Sequence, residues 1–305
     1  MRDQELQLLR LQQVAGSATV CTMCRRYCAL QSGQVGFCRT VINREGALYS
    51  TIYGLIAEHG VDPIEKKPVR CYRPGTRLLT VGSFGCNLRC DWCQNWEIAF
   101  VDASTPIPGR RYTPAEVVAA AQRAGCAGIA WSYNEPGIWV DFIADCAIQA
   151  HQAGLYTLLV TNGLLSRESV TLLHGLIDVY RADFKSLDNA LFRQHAHLPS
   201  SAAVLDSLSA MQQTGAHLEL VTVVMPNFIT DDHLQRMAAW IVAHLGAETP
   251  WHLTRFVPYA RLTELPPTPV DALERAGALA AQAGLQRVFL GDWYEAAQYQ
   301  PEGTP

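Results

Sequence analysis

The stretch Gly85-Cys86-Asn87-Leu88-Arg89-Cys90-Asp91-Trp92-Cys93 carries three cysteines, with three residues between the first pair and two between the second. Thiolates are the softest ligands a protein offers, and three on one short loop suit three irons of a cubane cluster. The fourth iron then has no protein ligand and stays open to a small molecule. A fully ligated ferredoxin cluster has no such position. Just before the loop, Arg77-Leu78-Leu79-Thr80-Val81-Gly82 reads as a buried strand. The loop therefore falls at a strand's carboxyl end, where α/β barrels place their active sites. The competing reading is a zinc knuckle, but three thiolates leave a closed tetrahedral zinc site one ligand short.

Outward from this loop the chain alternates. Strand-like runs cover Leu78–Gly82, Gly128–Ser132, Tyr156–Thr161, Val179–Phe184, Leu218–Met225 and His252–Val257. Helix-like runs cover Pro114–Ala124, Ile138–Ala153, Ser166–Leu173, Ala202–Gln213, Asp231–Leu245 and Val270–Ala283. Thr113 before Pro114 reads as a helix cap, and Gly125, Gly154, Gly215 and Gly284 follow helices as terminating glycines do. Such alternation predicts parallel strands joined by right-handed crossovers. Six units predict an α/β fold, a partial (β/α)6 TIM-like barrel, with Arg287–Leu290 as a further short strand. A doubly wound open sheet is the competing architecture. The chain's 305 residues suit one barrel plus a small appendage. The expected division is 1–72, a Cys-rich segment and connector, and 73–305, the barrel with a C-terminal extension.

Within the appendage, Leu6, Leu9 and Val14 fall near helical spacing and predict a helix over residues 1–16. Cys21, Cys24, Cys28 and Cys38 follow in a short polar segment. Four cysteines close a tetrahedral site, and a segment this small needs a staple. The expectation is one structural or electron-relaying metal centre. It is either zinc or a second iron–sulfur cluster, and free thiols are the bland alternative. The small core available tilts the expectation toward zinc. Ala47–Tyr53 reads as a strand and Asp62–Pro68 as a polar connector. Seven of the ten cysteines fall in these two clusters, which suits ligands better than a secreted disulfide framework. A reducing cytoplasm is the expected location. The net charge of −4 gives no general attraction for nucleic acid. No apolar run approaches a membrane span, and the amino terminus lacks a signal peptide's apolar core.

The residues that close the strands form a set. They are Tyr133-Asn134-Glu135-Pro136, Thr161-Asn162-Gly163, Asp183-Phe184-Lys185, Pro226-Asn227 and Arg255. Singly each has a bland reading: Glu135 a helix-start charge, Asn162-Gly163 a turn, Lys185 a solvated end. Together they put carboxylates, amides and cations on one rim around the cysteine loop, as a site for a charged ligand requires.

The cysteine spacing, with an aromatic residue before the last cysteine, resembles the radical S-adenosylmethionine (SAM) superfamily. The resemblance implies Cys86, Cys90 and Cys93 as ligands of a [4Fe–4S] cluster, SAM on the open iron and Trp92 near the adenine. In that superfamily one electron cleaves SAM to methionine and a 5′-deoxyadenosyl radical, which abstracts hydrogen from a substrate. Tyr133–Pro136 resembles the superfamily's Gly-Gly-Glu segment, with only Glu135 carried over as acceptor of the SAM amino group. Val160-Thr161-Asn162-Gly163 and Asp183-Phe184-Lys185 are similar to segments of the pyruvate formate-lyase activating enzymes. Thr161, Asn162, Asp183 and Lys185 are therefore candidates near the methionyl end of SAM. Val160 stands where that group has an Asp, so its cation site is not carried over. Most of the chain resembles the AmmeMemoRadiSam-system radical SAM enzymes, a branch also labelled activating-enzyme homologues. The run Cys86 to Ile98 is the most specific part. The tail departs from that branch: it continues Gly291-Asp292-Trp293-Tyr294-Glu295 and ends without a Cys-Pro-x-Cys segment.

The resemblance implies an enzyme acting on a protein or small-molecule substrate, with flavodoxin or ferredoxin as electron donor. Two other functions compete. A non-catalytic iron–sulfur electron carrier needs four cysteines per cluster and no SAM site. A zinc-stapled binding module leaves the polar rim unexplained.

Overall fold

The runs that read as buried strands in sequence form the centre of one sheet. The structure, a computed structural model, describes residues 6–102, 109–225 and 228–291. Six strands are parallel neighbours in chain order: β1 (Arg77–Gly82), β2 (Gly128–Trp131), β3 (Tyr156–Thr161), β4 (Val179–Asp183), β5 (His217–Val224) and β6 (Trp251–Arg255). Between and after them run α1 (Pro114–Arg123), α2 (Val140–Gln152), α3 (Arg167–Leu172), α4 (Ala202–Gln213), α5 (Asp231–His244) and α6 (Val270–Gln282). A doubly wound sheet reverses its strand order at a switch point, and this one never does. The architecture is therefore the partial barrel. The short strand Val288–Leu290 adds to β6 in parallel, and no pairing joins the two ends of the sheet among the described residues. Helix starts follow the expected chemistry. Thr113 Oγ1 accepts from Glu116 N while Glu116 returns to Thr113 N, a reciprocal cap in front of Pro114. Ser166 and Thr230 cap α3 and α5 one-sidedly, each hydroxyl accepting from the N–H three residues on.

Two expectations fail. Residues 6–16 are not helical: Gln7–Leu8 and Gln12–Ala15 are strands. Leu9 is 3% exposed and Val14 73%, so the three apolar residues share no face. The Gln12 amide bonds the backbone of Leu48 on both sides, and Gly16 at φ +62° turns the chain into the strand Ala18–Cys21. Tertiary pairing outweighs the weak helix preference of so short a run. The Gly16-Ser17 pair between two short runs was the hairpin signal. The Asp62–Pro68 stretch is likewise no plain connector. Glu58–Pro63 pairs antiparallel with β1 at the sheet edge, and Ile64–Lys66 forms a 3-10 turn. Its Asp62 can sit buried in an edge strand because Lys66 and Lys67 both reach it, at 2.8 and 2.7 Å.

The Cys-rich residues form two small antiparallel sheets that sit on the barrel. Gln12–Ala15, Ala18–Cys21 and Ala29–Leu30 make one; Gln7–Leu8, Ala47–Ser50 and Val41–Arg44 make the other. Trp139 Nε1 donates to Ile52 O at 2.8 Å, Ser166 Oγ to Thr22 O at 2.5 Å, and Cys24 bridges Leu165. These contacts place the appendage on the strand-end rim itself, beside the loop after β1.

Candidate active site

The cysteine loop leaves β1 at its carboxyl end. Burial packs Val81 and Phe84 inward, and Gly85 follows at φ +84°. A Cβ on Gly85 would lie 2.5 Å from Thr40 Cγ2 and 2.7 Å from Cys38 O, so only glycine lets the appendage approach this closely. The loop is held on three sides. Arg89 N donates to Ala196 O at 3.2 Å and Asp91 N to His195 O at 2.9 Å, from a π-helical turn Phe192–Ala196. Asp91 also meets His195 Nδ1 at 3.0 Å and Arg261 at 3.3 Å. Arg89 threads the loop, donating to the carbonyls of Cys86, Leu88, Ala99 and Phe37.

Burial pushes the Cys86, Cys90 and Cys93 thiols above their ordinary range, Cys90 to about 12. Thiolates form here when a metal takes their charge. Cys86 Sγ accepts from Leu88 N at 3.4 Å and from Asn162 Nδ2 at 3.6 Å, donors that suit a metal-bound sulfur. Among the described residues, no three His, Cys, Asp or Glu side chains are gathered around one ion position. Three thiolates leave a single zinc ion one ligand short but suit three irons of a cluster, so the donor set fits a cluster better than a single zinc.

Glu135 follows β2 and is 2% exposed. Its Oε1 accepts from Gly137 N at 2.7 Å and Thr161 Oγ1 at 2.8 Å; its Oε2 accepts from Asn162 N at 2.7 Å. Burial raises its carboxyl to about 7 against the pull of these three bonds. A carboxylate offers about four acceptor positions, so one remains for an ammonium group. Thr161 and Asn162 thus hold Glu135, and Asn162 also reaches Cys86. Asn134, which the sequence left without a role, accepts from Ser83 N at 2.9 Å and donates to Phe84 O and Gly85 O. It ties this segment to the start of the cysteine loop. Tyr133 stands at φ +69°, a conformation that favours glycine. That is physical reason for the glycines of the resembled Gly-Gly-Glu pattern. Here Asn95 Nδ2 holds the Tyr133 carbonyl at 2.7 Å, and Gly82 leaves room for the ring.

Asp183 and Lys185 line a cavity of about 240 Å³ with Trp92, Val221, Val223 and Met225. Lys185 Nζ lies 2.7 Å from Asp183 Oδ2, and Arg181 bonds Oδ1. Burial alone would raise the Asp183 carboxyl, but the two cations hold it below its usual range. Lys185 is raised by the Asp183 charge despite its burial. Arg255 turns away to Thr268 O at 2.7 Å, and Pro226-Asn227 lies outside the described residues. The structure therefore brings Cys86, Asn162, Thr161 and Glu135 into one bonded chain, and Trp92, Asp183 and Lys185 around one cavity.

The quartet is closer than its place in sequence suggested. Cys21 and Cys28 face each other across the base of a hairpin loop, Cys21 N to Cys28 O at 3.0 Å, and Cys38 comes from the next turn. All four cysteines line one cavity that Asn87 of the β1 loop also lines. Cys21, Cys24 and Cys38 are buried.

The family model of the radical SAM superfamily matches residues 80–241. An uncharacterized protein of Methanocaldococcus jannaschii, MJ0808, is 35% identical over 273 residues, covering 89% of this chain and 80% of its own. Streptococcus suis SuiB bound to S-adenosylmethionine superposes with a TM-score of 0.55 at 12% identity, over 74% of this chain and 54% of SuiB. HydG, a maturase of the [FeFe]-hydrogenase, gives 0.52 at 11% identity, over 69% of this chain and 50% of HydG. At such identities the two structures speak for the fold alone. This chain belongs to the radical SAM superfamily. Members are enzymes, and membership implies a [4Fe–4S] cluster and SAM. Among the described residues no helix is long and apolar enough to cross a membrane.

Proposed function

We propose that this chain is a radical SAM enzyme whose cluster ligands are Cys86, Cys90 and Cys93 and whose SAM anchors are Glu135 and Asp183. The observation that carries it is the bonded chain from Cys86 through Asn162 to Glu135, which fixes a buried carboxylate beside the three-cysteine loop. When bound, the cluster supplies the electron that cleaves SAM to a hydrogen-abstracting 5′-deoxyadenosyl radical. The protein's part is positioning and charge. Glu135 keeps one acceptor free for the SAM amino group, and Thr161 and Asn162 hold it still. Trp92 supplies an apolar face for the adenine. Asp183 and Lys185 present paired charges to the methionyl end. Holding reacting groups in one geometry is a large catalytic contribution.

We further propose that the radical acts on a protein, in the manner of a glycyl-radical activase, or on a small molecule, with flavodoxin or ferredoxin as donor. A metal centre at Cys21, Cys24, Cys28 and Cys38 completes the cofactor set. The test is anaerobic reduction with SAM followed by chromatography for 5′-deoxyadenosine. Product above a no-protein control supports the proposal; none, with the cluster demonstrably loaded, refutes it.

A further inference from the structure

We infer that Cys21, Cys24, Cys28 and Cys38 hold a second iron–sulfur cluster rather than one zinc ion, and that its charge tunes the centre at Cys86, Cys90 and Cys93. The second half rests on the cluster assignment proposed above.

Three observations carry it. The four cysteines line one common cavity together with Met23, Val41 and Ile138. A single ion draws four sulfurs to one point, whereas a cubane core keeps them apart around a volume. Three of the four cysteines are buried, so the little core expected of this segment is supplemented by the barrel rim. That removes the ground for preferring zinc.

The second observation is charge. Arg26 and Arg89 flank the Phe37 ring, at 3.5 and 5.2 Å from its centroid, between the two cysteine sets. Among the described residues Arg26 donates to the carbonyls of Asn87 and His197, and Arg89 to those of Cys86, Leu88, Ala99 and Phe37. Among the described residues neither meets a carboxylate. Partly buried cations need an anionic partner, and thiolate-bound centres on both sides supply it.

The third observation is Asn87. Its Oδ1 accepts from Asn162 Nδ2 at 2.7 Å, on the SAM side. Its Nδ2 is buried without an oxygen or nitrogen partner, on a residue that lines the quartet's cavity. An unspent donor beside thiolates is a hydrogen bond to cluster sulfur, one of the levers that set reduction potential. Asn87 is therefore a positioning residue shared by both centres.

The experiment uses the full chain, reconstituted anaerobically with iron and sulfide in the presence of zinc. The Cys86→Ala/Cys90→Ala/Cys93→Ala variant isolates the quartet. About four irons and four sulfides per chain support the inference; one zinc, or no metal, overturns it. The Cys24→Ser/Cys28→Ser variant isolates the other centre, so failure of that assignment shows separately as absence of iron here. With the quartet emptied, the remaining centre should become easier to reduce in an EPR-monitored potentiometric titration. About tenfold more should be reduced at a fixed potential, the effect of one charge at roughly 12 Å and an effective dielectric near 20. That equals about 59 mV for one electron. An unmoved potential overturns the coupling. Should the double-serine variant unfold, the Cys86→Ala/Cys90→Ala/Cys93→Ala variant carries the same test, because the coupling is reciprocal: its quartet cluster should be easier to reduce than in the unaltered chain by the same amount, and an unmoved potential overturns the coupling. Asn87→Ala tests the donor. It should keep its full iron content and lower the potential of the quartet cluster, and an unchanged potential there overturns the hydrogen bond assigned to Asn87.

Discussion

Glu135→Gln changes one charge and almost no volume, and the structure fixes what should follow. Glutamine keeps one acceptor oxygen. With it at the Oε1 position, the bonds from Gly137 N and Thr161 Oγ1 survive. The new N–H2 then faces Asn162 N, which loses its acceptor. A buried N–H left without an acceptor costs about 1–3 kcal/mol. Against that loss stands burial. Raising the carboxyl from 4.5 to about 7 costs the fold about 3 kcal/mol at pH 8, and a neutral amide does not incur it. The two effects nearly cancel, so the melting temperature should move by a few degrees at most. SAM binding has no such cancellation. Losing a charge-assisted contact to the ammonium should weaken it about ten- to a hundredfold.

The pH dependence separates the two effects further. Because the folded value is raised, Glu135 supports the fold fully below about 4.5, and that support fades as pH climbs through about 7. SAM affinity runs the other way: it should rise as Glu135 ionises through about 7 and fall again as the ligand's amino group loses its proton near about 8. The glutamine variant should show only the ligand's own titration. Anaerobic calorimetry at several pH values measures both. Unchanged SAM affinity in Glu135→Gln and in Asp183→Asn would refute the anchoring roles.

Two further outcomes test the surroundings. Gly85→Ala places a methyl group against Thr40 and the Cys38 carbonyl in a left-handed conformation, so urea denaturation should show a loss of about 2–4 kcal/mol; a loss under 0.5 kcal/mol would remove the close approach as a constraint. Glu219, in the first half of β5 and away from the rim, meets His217 at 2.8 Å and His252 at 2.5 Å. Burial opposes its ionisation, but these partners and the Arg70 and Cys71 N–H groups pull it down to about 2. Its stabilising contribution, about 3 kcal/mol, should be present above about 4.5 and disappear as pH falls toward 2. Glu219→Gln should lower stability at pH 7 by a similar amount while sparing SAM affinity; equal stability of the two proteins at pH 7 would sink this.

What sequence conveyed well was local. Tyr156–Thr161 and Ala202–Gln213 end in the structure where their apolar patterns end. The other barrel elements agree within a residue or two, because caps such as Thr113 and glycines such as Gly125 act on their own neighbours. The strand-end rim was legible for the same reason: a strand's end is a local fact, and parallel order puts all such ends on one side. What sequence hid depends on distant partners. Glu58–Pro63 looks polar in sequence, and its Asp62 is accommodated only because Lys66 and Lys67 of the following turn neutralise it. Gln7–Leu8 and Gln12–Ala15 are strands only because residues 18–21 and 47–50 lie alongside. Asn134, Arg26 and Arg89 act on backbone groups brought near by the fold, and Asn87 on the Asn162 side chain, so none of them carries a sequence pattern. The quartet's position on the rim was invisible for that reason too.

The ligand assignment is tested most directly by SAM cleavage in the Cys86→Ala/Cys90→Ala/Cys93→Ala variant. The protein is reconstituted anaerobically, reduced, and analysed for 5′-deoxyadenosine beside the unaltered chain. The variant should form none while its circular dichroism stays that of the folded barrel, because β1 to β6 are held by their own core. Undiminished 5′-deoxyadenosine from the variant would contradict the assignment of these three cysteines.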